Sequence, residues 1–309
     1  VLLFIIGDII AAQFISPIQP NIKVAPEHVS ASPLFTLPVI GDFYLSNTIV
    51  AILIVDVLMI IIALIVRSAT RSGDLVPKGF SGAIEALLEI LSNLTDSTAG
   101  KWGKTIFPWF ATITLMVLLA NWLELIPGVD SIGLLEKSAK GNPVVQILPG
   151  IMATIKGTAA AGEGYEVVPF VRATATDLNF TAALALISVI MTQVIGVKAL
   201  GPKYFLKFFD VTAIFSKPLM GFMDFLVSLL ELISELSKIL SFAFRLFGNV
   251  FAGSVLIFLL STMVPIFAPS MIFMFELFIG AIQAIVFGML TMIFMSMATQ
   301  FKSAAELEA

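Results

Sequence analysis

The sequence predicts an all-α polytopic membrane protein with about five to six membrane helices, the last two forming a long, steeply tilted hairpin. Three observations predict it. The 309-residue chain is 59% hydrophobic and only 12% charged, with a mean hydropathy of +1.05, whereas a soluble domain carries roughly a quarter charged residues. Its apolar residues gather into runs of bilayer length bounded by Pro, Gly or charged residues. Near the C-terminus, two runs are longer than a single crossing requires.

The same composition excludes several functions. With no cysteine, disulfides and thiolate metal sites drop out. The single histidine, His28, cannot build a His-based zinc site or a relay of histidines. A formal net charge of −4 with no basic run offers nothing to nucleic acid. No GxxxxGK(S/T) loop, HExxH helix or GxSxG elbow occurs, so the chain alone is expected to do no covalent chemistry and to need no cofactor or metal.

In chain order, residues 1–15 (VLLFIIGDIIAAQFI) suit an extra N-terminal span, reaching about residue 16, or the remains of a signal-like segment; Asp8 is unusual for both. An outer loop is expected over 17–47. Spans follow at 48–66, 107–126 and 179–200, each near the ~20 residues a bilayer needs. Within 79–98, Glu85, Glu89 and Asn93 repeat every four residues opposite an apolar face. That spacing fits an amphipathic helix lying along the interface or against another helix, or more plainly a surface connector. Residues 127–178 form a second outer loop, too long to be idle but without a recognisable motif.

From Lys217 to Leu260 the chain is helix-compatible after Pro218, for roughly 60–65 Å at 1.5 Å per residue. That is about twice a ~30 Å hydrocarbon core, so the helix must tilt, bend or run partly in the membrane plane. Pro265 and Pro269 interrupt it. The hairpin is therefore expected over 217–262 and 267–300, within one membrane domain spanning 1–309. Arg67, Arg71, Lys78, Lys101 and Lys104 follow the 48–66 span, and Lys198, Lys203, Lys207 and Lys217 follow the 179–200 span. Loops 67–105 and 201–217 are thus cytoplasmic, and the turn near 265 faces out.

Glu231, Glu235, Lys238, Phe242, Arg245 and Asn249 recur at steps of three or four, with Ser234 and Ser241 beside them. Over the fourteen residues from Glu231 to Arg245 the drift is about 40° at 100° per residue. Arg245 itself sits in "SFAFRLFGNV", with no acid within nine positions on either side. Arginine stays protonated, and at mid-bilayer it costs at least ~2.5 kcal/mol, so it should face protein or water. Glu231 is roughly 21 Å away along the helix. Folding the hairpin about residue 266 sets Arg245 against 283–287, where Gln283 offers an amide and not a charge. A carboxylate outside these two helices is the expected partner. Snorkelling to a headgroup would need a much shorter path to either helix end.

Glu276 also lies in apolar sequence and suits a protonatable relay or a structural hydrogen bond, for instance to Ser254. Asp56 suits relay or helix glue equally. Gly280, Ala284 and Gly288 form a small-residue ridge for close helix packing.

These residues resemble the a subunit of the F-type ATP synthase. "SKILSFAFRLFGNVFAG" at 237–253 is similar to the family's arginine helix, with Arg245 at the essential arginine. "FELFIGAIQAIVFGMLT" at 275–291 resembles the last helix, with Gln283 at its glutamine. "FPWFATITLMVLLANWLELIPG" at 107–128 resembles a span ending in an Asn-Leu-x-acid-Leu-x-Pro element, here Asn121, Glu124 and Pro127. "ATDLNFT" at 175–181 resembles the start of the next span, with Asp177, Asn179 and Thr181. The matches run in the family's order from about residue 40 to 300. Two departures stand out. Ser254 occupies a position, nine after the arginine, where many members have an acid; the carboxyl appears instead as Glu276. Ile239 follows Lys238 where the family often has proline.

The resemblance implies a stator channel whose tilted hairpin lies against a rotor ring. Arg245 would face the carboxylate of each c-ring proteolipid subunit in turn and separate two aqueous half-channels. The outer one would be lined by Asn121, Glu124, Asn249, Ser254, Glu276 and Gln283, the inner one by Glu231, Ser234 and Ser241. Implied partners are the c-ring, b-type peripheral-stalk subunits and the lipid bilayer, in an energy-transducing membrane such as the bacterial plasma membrane. The competing classes are an ion-coupled secondary transporter, which should show internal repeats and midplane helix breaks, and a self-contained ion channel, whose pore Arg245 would close to cations.

Overall fold

The computed structural model describes residues 25–300 apart from 31, 39–40, 72–78, 127, 150, 156–163, 209–217 and 264–266. The N-terminal span expected over 1–16, Pro127, Lys217 and the turn at Pro265 lie outside the described residues. Five described helices are long and apolar enough to cross a membrane: Asn47–Ser68, Phe80–Glu124, Leu178–Leu200, Phe225–Ser261 and Pro269–Thr299. The protein is an all-α polytopic membrane protein, with strands confined to its connections.

Helix α1 (Asn47–Arg71) is an apolar run closed by basic residues. Helix α2 (Phe80–Ala99) ends at Gly100, whose φ of 50° suits glycine. One 3-10 turn, Gly100–Trp102, passes into α3 (Gly103–Glu124), which starts four residues earlier than the apolar run at 107 suggests. Helix α4 (Leu178–Leu200) stops at Gly201, φ 67°, and the chain turns into a 3-10 segment, Gly201–Lys207. Helix α5 (Pro218–Met263) has 46 residues, about 69 Å at 1.5 Å per residue. Helix α6 (Phe267–Thr299) carries Pro269 within its first turn, where a missing N–H breaks no intrahelical bond. That is why Pro269 does not interrupt the chain.

The contacts resolve into two compact units. The first draws on residues 1–57, 118–177 and 247–282. Within it, Thr48 Oγ1 at the start of α1 donates to Asp177 at 2.9 Å, both buried. The end of α3 is fastened to α6 by Asn121 Nδ2 on the Gly280 carbonyl and Trp122 Nε1 on the Leu277 carbonyl, each 3.1 Å. A Cβ on Gly280 would lie 3.1 Å from that of Asn121, so the small residue permits the approach.

The connections of this unit hold structure that the sequence did not announce. Strands β1 (Phe35–Leu37) and β2 (Gly41–Phe43) pair antiparallel, with Phe35 stacked on Phe43. In the 127–178 loop, β3 (Gly133–Asn142) pairs with β6 (Tyr165–Pro169), and β4 (Val144–Leu148) with β5 (Ile151–Thr154), all antiparallel. Ile147, Leu148, Ile151 and Met152 are exposed. Neither face of this hairpin is reserved for a core, so no alternation of apolar and polar residues marks it.

The second unit draws on residues 58–117, 178–246 and 283–309. Its core joins Leu91 and Ala99 of α2, Ile106 and Phe110 of α3, Ile195 of α4, and Met292 and Met295 of α6. Glu85, Glu89 and Asn93 of α2 stay exposed while Leu91, Thr95 and Ala99 are buried, so α2 packs against other helices along one face. Gly288 passes so close to Thr114 and Phe110 that a Cβ would collide with the Thr114 hydroxyl. Ser188 and Thr291 share a buried hydrogen bond of 2.7 Å between α4 and α6. Such bonds and tight van der Waals contact hold membrane helices together, because lipid is as apolar as their side chains.

Candidate functional site

Within the second unit, α5 and α6 run antiparallel. Phe242 meets Phe287 at 5.0 Å and Phe294 at 5.7 Å between ring centroids, and Lys238 Nζ lies 4.5 Å over the Phe294 ring. The polar stripe of α5 divides here. Glu235 is buried at 5% exposure and Phe242 at 2%, whereas Ser234, Ser241 and Arg245 are exposed. Ten residues separate Glu235 from Arg245, an offset of about 80° at 100° per residue, so one can point inward while the other points out.

Glu235 is held by a buried polar cluster. Lys207 Nζ donates to it at 3.0 Å, Lys238 Nζ at 2.8 Å and Gln193 Nε2 at 3.1 Å. Lys207 Nζ also lies 2.7 Å from Glu231, whose side chain is 37% exposed. Tyr204 completes the cluster, donating to Gln193 Oε1 at 2.7 Å. Gly201 turns the chain, and Gly196 leaves room for the wholly buried Tyr204 ring, which a Cβ there would strike. Burial alone would lower the Lys207 pKa, but its bonds to Glu231 and Glu235 hold it above its ordinary value. Burial raises the Tyr204 pKa against the opposing pull of Lys207.

Arg245 differs from these lysines. Its neighbours Phe242, Ala243 and Leu246 are buried, while its own side chain is exposed beside exposed Leu240 and Phe244. Among the described residues no ion pair or hydrogen bond to its guanidinium occurs, including any from Gln283. Gln283 is itself buried, with an Nε2 lacking a partner among the described residues. The amide therefore does not orient the guanidinium: Gln283 is buried and Arg245 exposed.

Within the first unit, Glu124, Ser254, Glu276 and Asn121 form the other polar group. Ser254 Oγ donates to the Glu124 carboxylate and lies 3.0 Å from the Val250 carbonyl. One hydroxyl proton cannot serve both acceptors fully. A protonated Glu124 resolves the conflict by donating to Ser254, which then donates to Val250. An ionised Glu124 accepts the serine hydrogen bond instead, so the pair can stay hydrogen-bonded in either state. Ser254 thus reaches α3 and not Glu276. Glu276 is half-buried and lies against Gly253, where any Cβ would meet its carboxylate. Asn121 Oδ1 is buried without a partner among the described residues, and Asn249 is half-buried.

Sequence reasoning missed residues in both groups. In the first unit, Val171, Arg172 and Thr174 share a small pocket with the expected Glu124, and Thr174 Oγ1 is buried without a partner among the described residues. Gln193, Tyr204 and Lys207 were not anticipated either, although Gly196 and Gly201 around "VKALGPKYFLK" mark a turn returning towards α4. No cluster of three or more metal-ligating side chains occurs among the described residues.

The sequence model of the ATP synthase A chain matches residues 49–296. The chain belongs to that family. It is a membrane-sector subunit of an F-type ATP synthase. Among its relatives, ATP synthase subunit a 1 of Syntrophotalea carbinolica is 30% identical over 225 residues, covering 73% of this chain and 75% of the relative. ATP synthase subunit a of Moorella thermoacetica is 27% identical over 240 residues, or 78% and 86% of the two chains. That of Mycobacterium tuberculosis is 27% identical over 261 residues, or 83% and 88%. As an ATP synthase A chain the protein is multi-pass and serves proton transport, and the matched region takes in α3, α4, α5 and nearly all of α6.

Proposed function

We propose that this chain is the stator proton channel of a rotary ATP synthase. It carries protons through two offset half-channels to and from carboxylates on a rotating c-ring. Arg245 acts as the electrostatic gate and seal: it favours the ionised form of the ring carboxylate before it and keeps the two aqueous paths apart. Asn121, Glu124, Asn249, Ser254, Glu276 and Gln283 line the outer path, and Glu231, Ser234 and Ser241 the inner. The chain does no covalent chemistry itself. It is held by b-type peripheral-stalk subunits in a bacterial plasma membrane.

One observation carries this reading. Arg245 leaves α5 on an exposed face with no ion-pair partner among the described residues. A permanent cation in a membrane helix needs a carboxylate or water, and an apolar surface around it suits a passing proteolipid. The Glu124–Ser254 pair adds support, because a proton path needs groups that stay hydrogen-bonded in both protonation states.

The lack of cysteine makes a direct test simple. Single cysteines at Leu240 or Phe244 should form disulfides with cysteines placed near the ring carboxylate, while one at Ile60 on α1 should not. Cross-links from Ile60 alone would remove the proposed rotor face.

A further inference from the structure

Among the five described spans α1 is the least covered, with 11% of its apolar core buried against 22% to 44% in the others. It packs through Ala51 and Val55, both buried. On the opposite side Leu53, Val57, Ile60 and Leu64 are exposed, a stripe within about 40° of Leu53 at 100° per residue. Asp56 stands about 60° from Leu53 on the same outward side and is exposed as well.

Asp56 lies nine residues after Asn47 and twelve before Ser68, roughly 14 and 18 Å along the helix. It is therefore near the middle of a ~30 Å hydrocarbon core, and its side chain is too short to carry the carboxylate to the headgroups. Among the described residues no ion pair or hydrogen bond to that carboxylate occurs. The next charge along α1, Arg67, is eleven residues or roughly 17 Å away. An ionisable group at this depth faces protein or water and pairs there. The apolar stripe beside Asp56 suits a packed helix and not a water-filled path.

We propose that this face of α1 docks a membrane helix of another subunit of the complex, with Asp56 as the polar key of the contact. The partner helix carries a cation or a hydrogen-bond donor at the depth of Asp56 and apolar or small residues a turn to either side. Charge complementarity selects it, because a donor matches a mid-membrane carboxylate and lipid strands it. A second copy of this chain would bring a second Asp56 and repel. The chain's own apolar run at 1–15 carries as its one charge a further acid, Asp8. Given the rotor reading above, the partner is not the ring that faces Arg245.

A photoreactive benzoylphenylalanine in place of Leu53, with Asp56 intact, tests the face in the purified complex. Mass spectrometry should place the adduct in a membrane segment of another subunit, within about one helical turn of a cation or donor. Adducts on residues 1–24 of this chain, on a second copy or on lipid alone would each overturn the proposal. So would an adduct on the ring proteolipid, which leaves the rotor reading itself to the Leu240 and Phe244 cross-links. Asp56→Leu then supplies the sign. On a lipid-facing helix, leucine for aspartate should preserve or raise the yield of assembled complex. On a docked helix it should lower the partner's retention in detergent about ten-fold relative to this chain, with Asp56→Asn close to wild type. Unchanged retention in Asp56→Leu would overturn the role given to Asp56. If Asp56→Leu fails to assemble, the Leu53 adduct carries the test.

Discussion

Ser254 donates to the carboxylate of Glu124, joining two helices whose residues are 130 positions apart in the chain. The contact brings a carboxyl of α3 to a serine of α5, while Glu276 lies against the neighbouring Gly253.

Breaking that pair should slow transport without abolishing folding. Ser254→Ala removes the hydroxyl that α5 sets on Glu124 and should lower ATP-driven proton pumping roughly ten- to hundred-fold, as for one hydrogen bond to a charged group worth ~1.5–3 kcal/mol. Glu124→Gln should do at least as much, and the double variant should be little worse than Glu124→Gln alone. The initial rate of vesicle acidification, normalised to assembled complex, decides it. Additive losses would mean that the two residues act separately.

Gly253 offers a structural test of Glu276. A Cβ at 253 would run into the Glu276 carboxylate, and overpacking of this kind costs about 1–3 kcal/mol. Gly253→Val should lower the amount of assembled complex recovered in detergent. Adding Glu276→Ala should restore assembly by clearing the clash, though not proton flux. If the second substitution restored nothing, Gly253 would be needed for some other contact.

How much of this was legible in the sequence differs by feature. The long apolar runs, the overlong final pair of helices and the isolated Arg245 were readable because they depend on composition and length along one segment. Angular arithmetic also placed Glu231 and Arg245 near one face, but it could not say that Glu235 turns inward. That follows from α4 and the Gly201 turn bringing Gln193 and Lys207 against α5, contacts between segments whose spacing carries no signal. The Glu124–Ser254 pair was hidden for the same reason. Each residue was singled out, but their meeting depends on how α3 packs. The β4–β5 hairpin of the 127–178 loop escaped because both its faces expose apolar side chains and leave no period of two.

The Tyr204–Lys207 contact predicts an alkaline limit to stability. Both groups have folded-state pKa values raised above their ordinary ones. A group whose pKa is raised on folding contributes stability that is fully present below its unfolded pKa and is lost as pH rises through the folded one. Thermal stability of the detergent-solubilised complex should thus hold at neutral pH and fall above about pH 10, where free lysine and tyrosine titrate. Lys207→Gln should be less stable at neutral pH and lose less between neutral pH and that range. An equal alkaline loss in wild type and variant would place its origin elsewhere.

The central claim is that Arg245 both gates and seals the proton path, and proton flux through the assembled complex with Arg245→Ala tests it most directly. The measurement compares ATP-driven acidification in inverted vesicles with passive flux after the catalytic sector is stripped away. The account predicts that coupled pumping is abolished while passive flux is kept or increased, because the charge that separates the two half-channels has gone. Coupled pumping that survived the loss of Arg245 would contradict it.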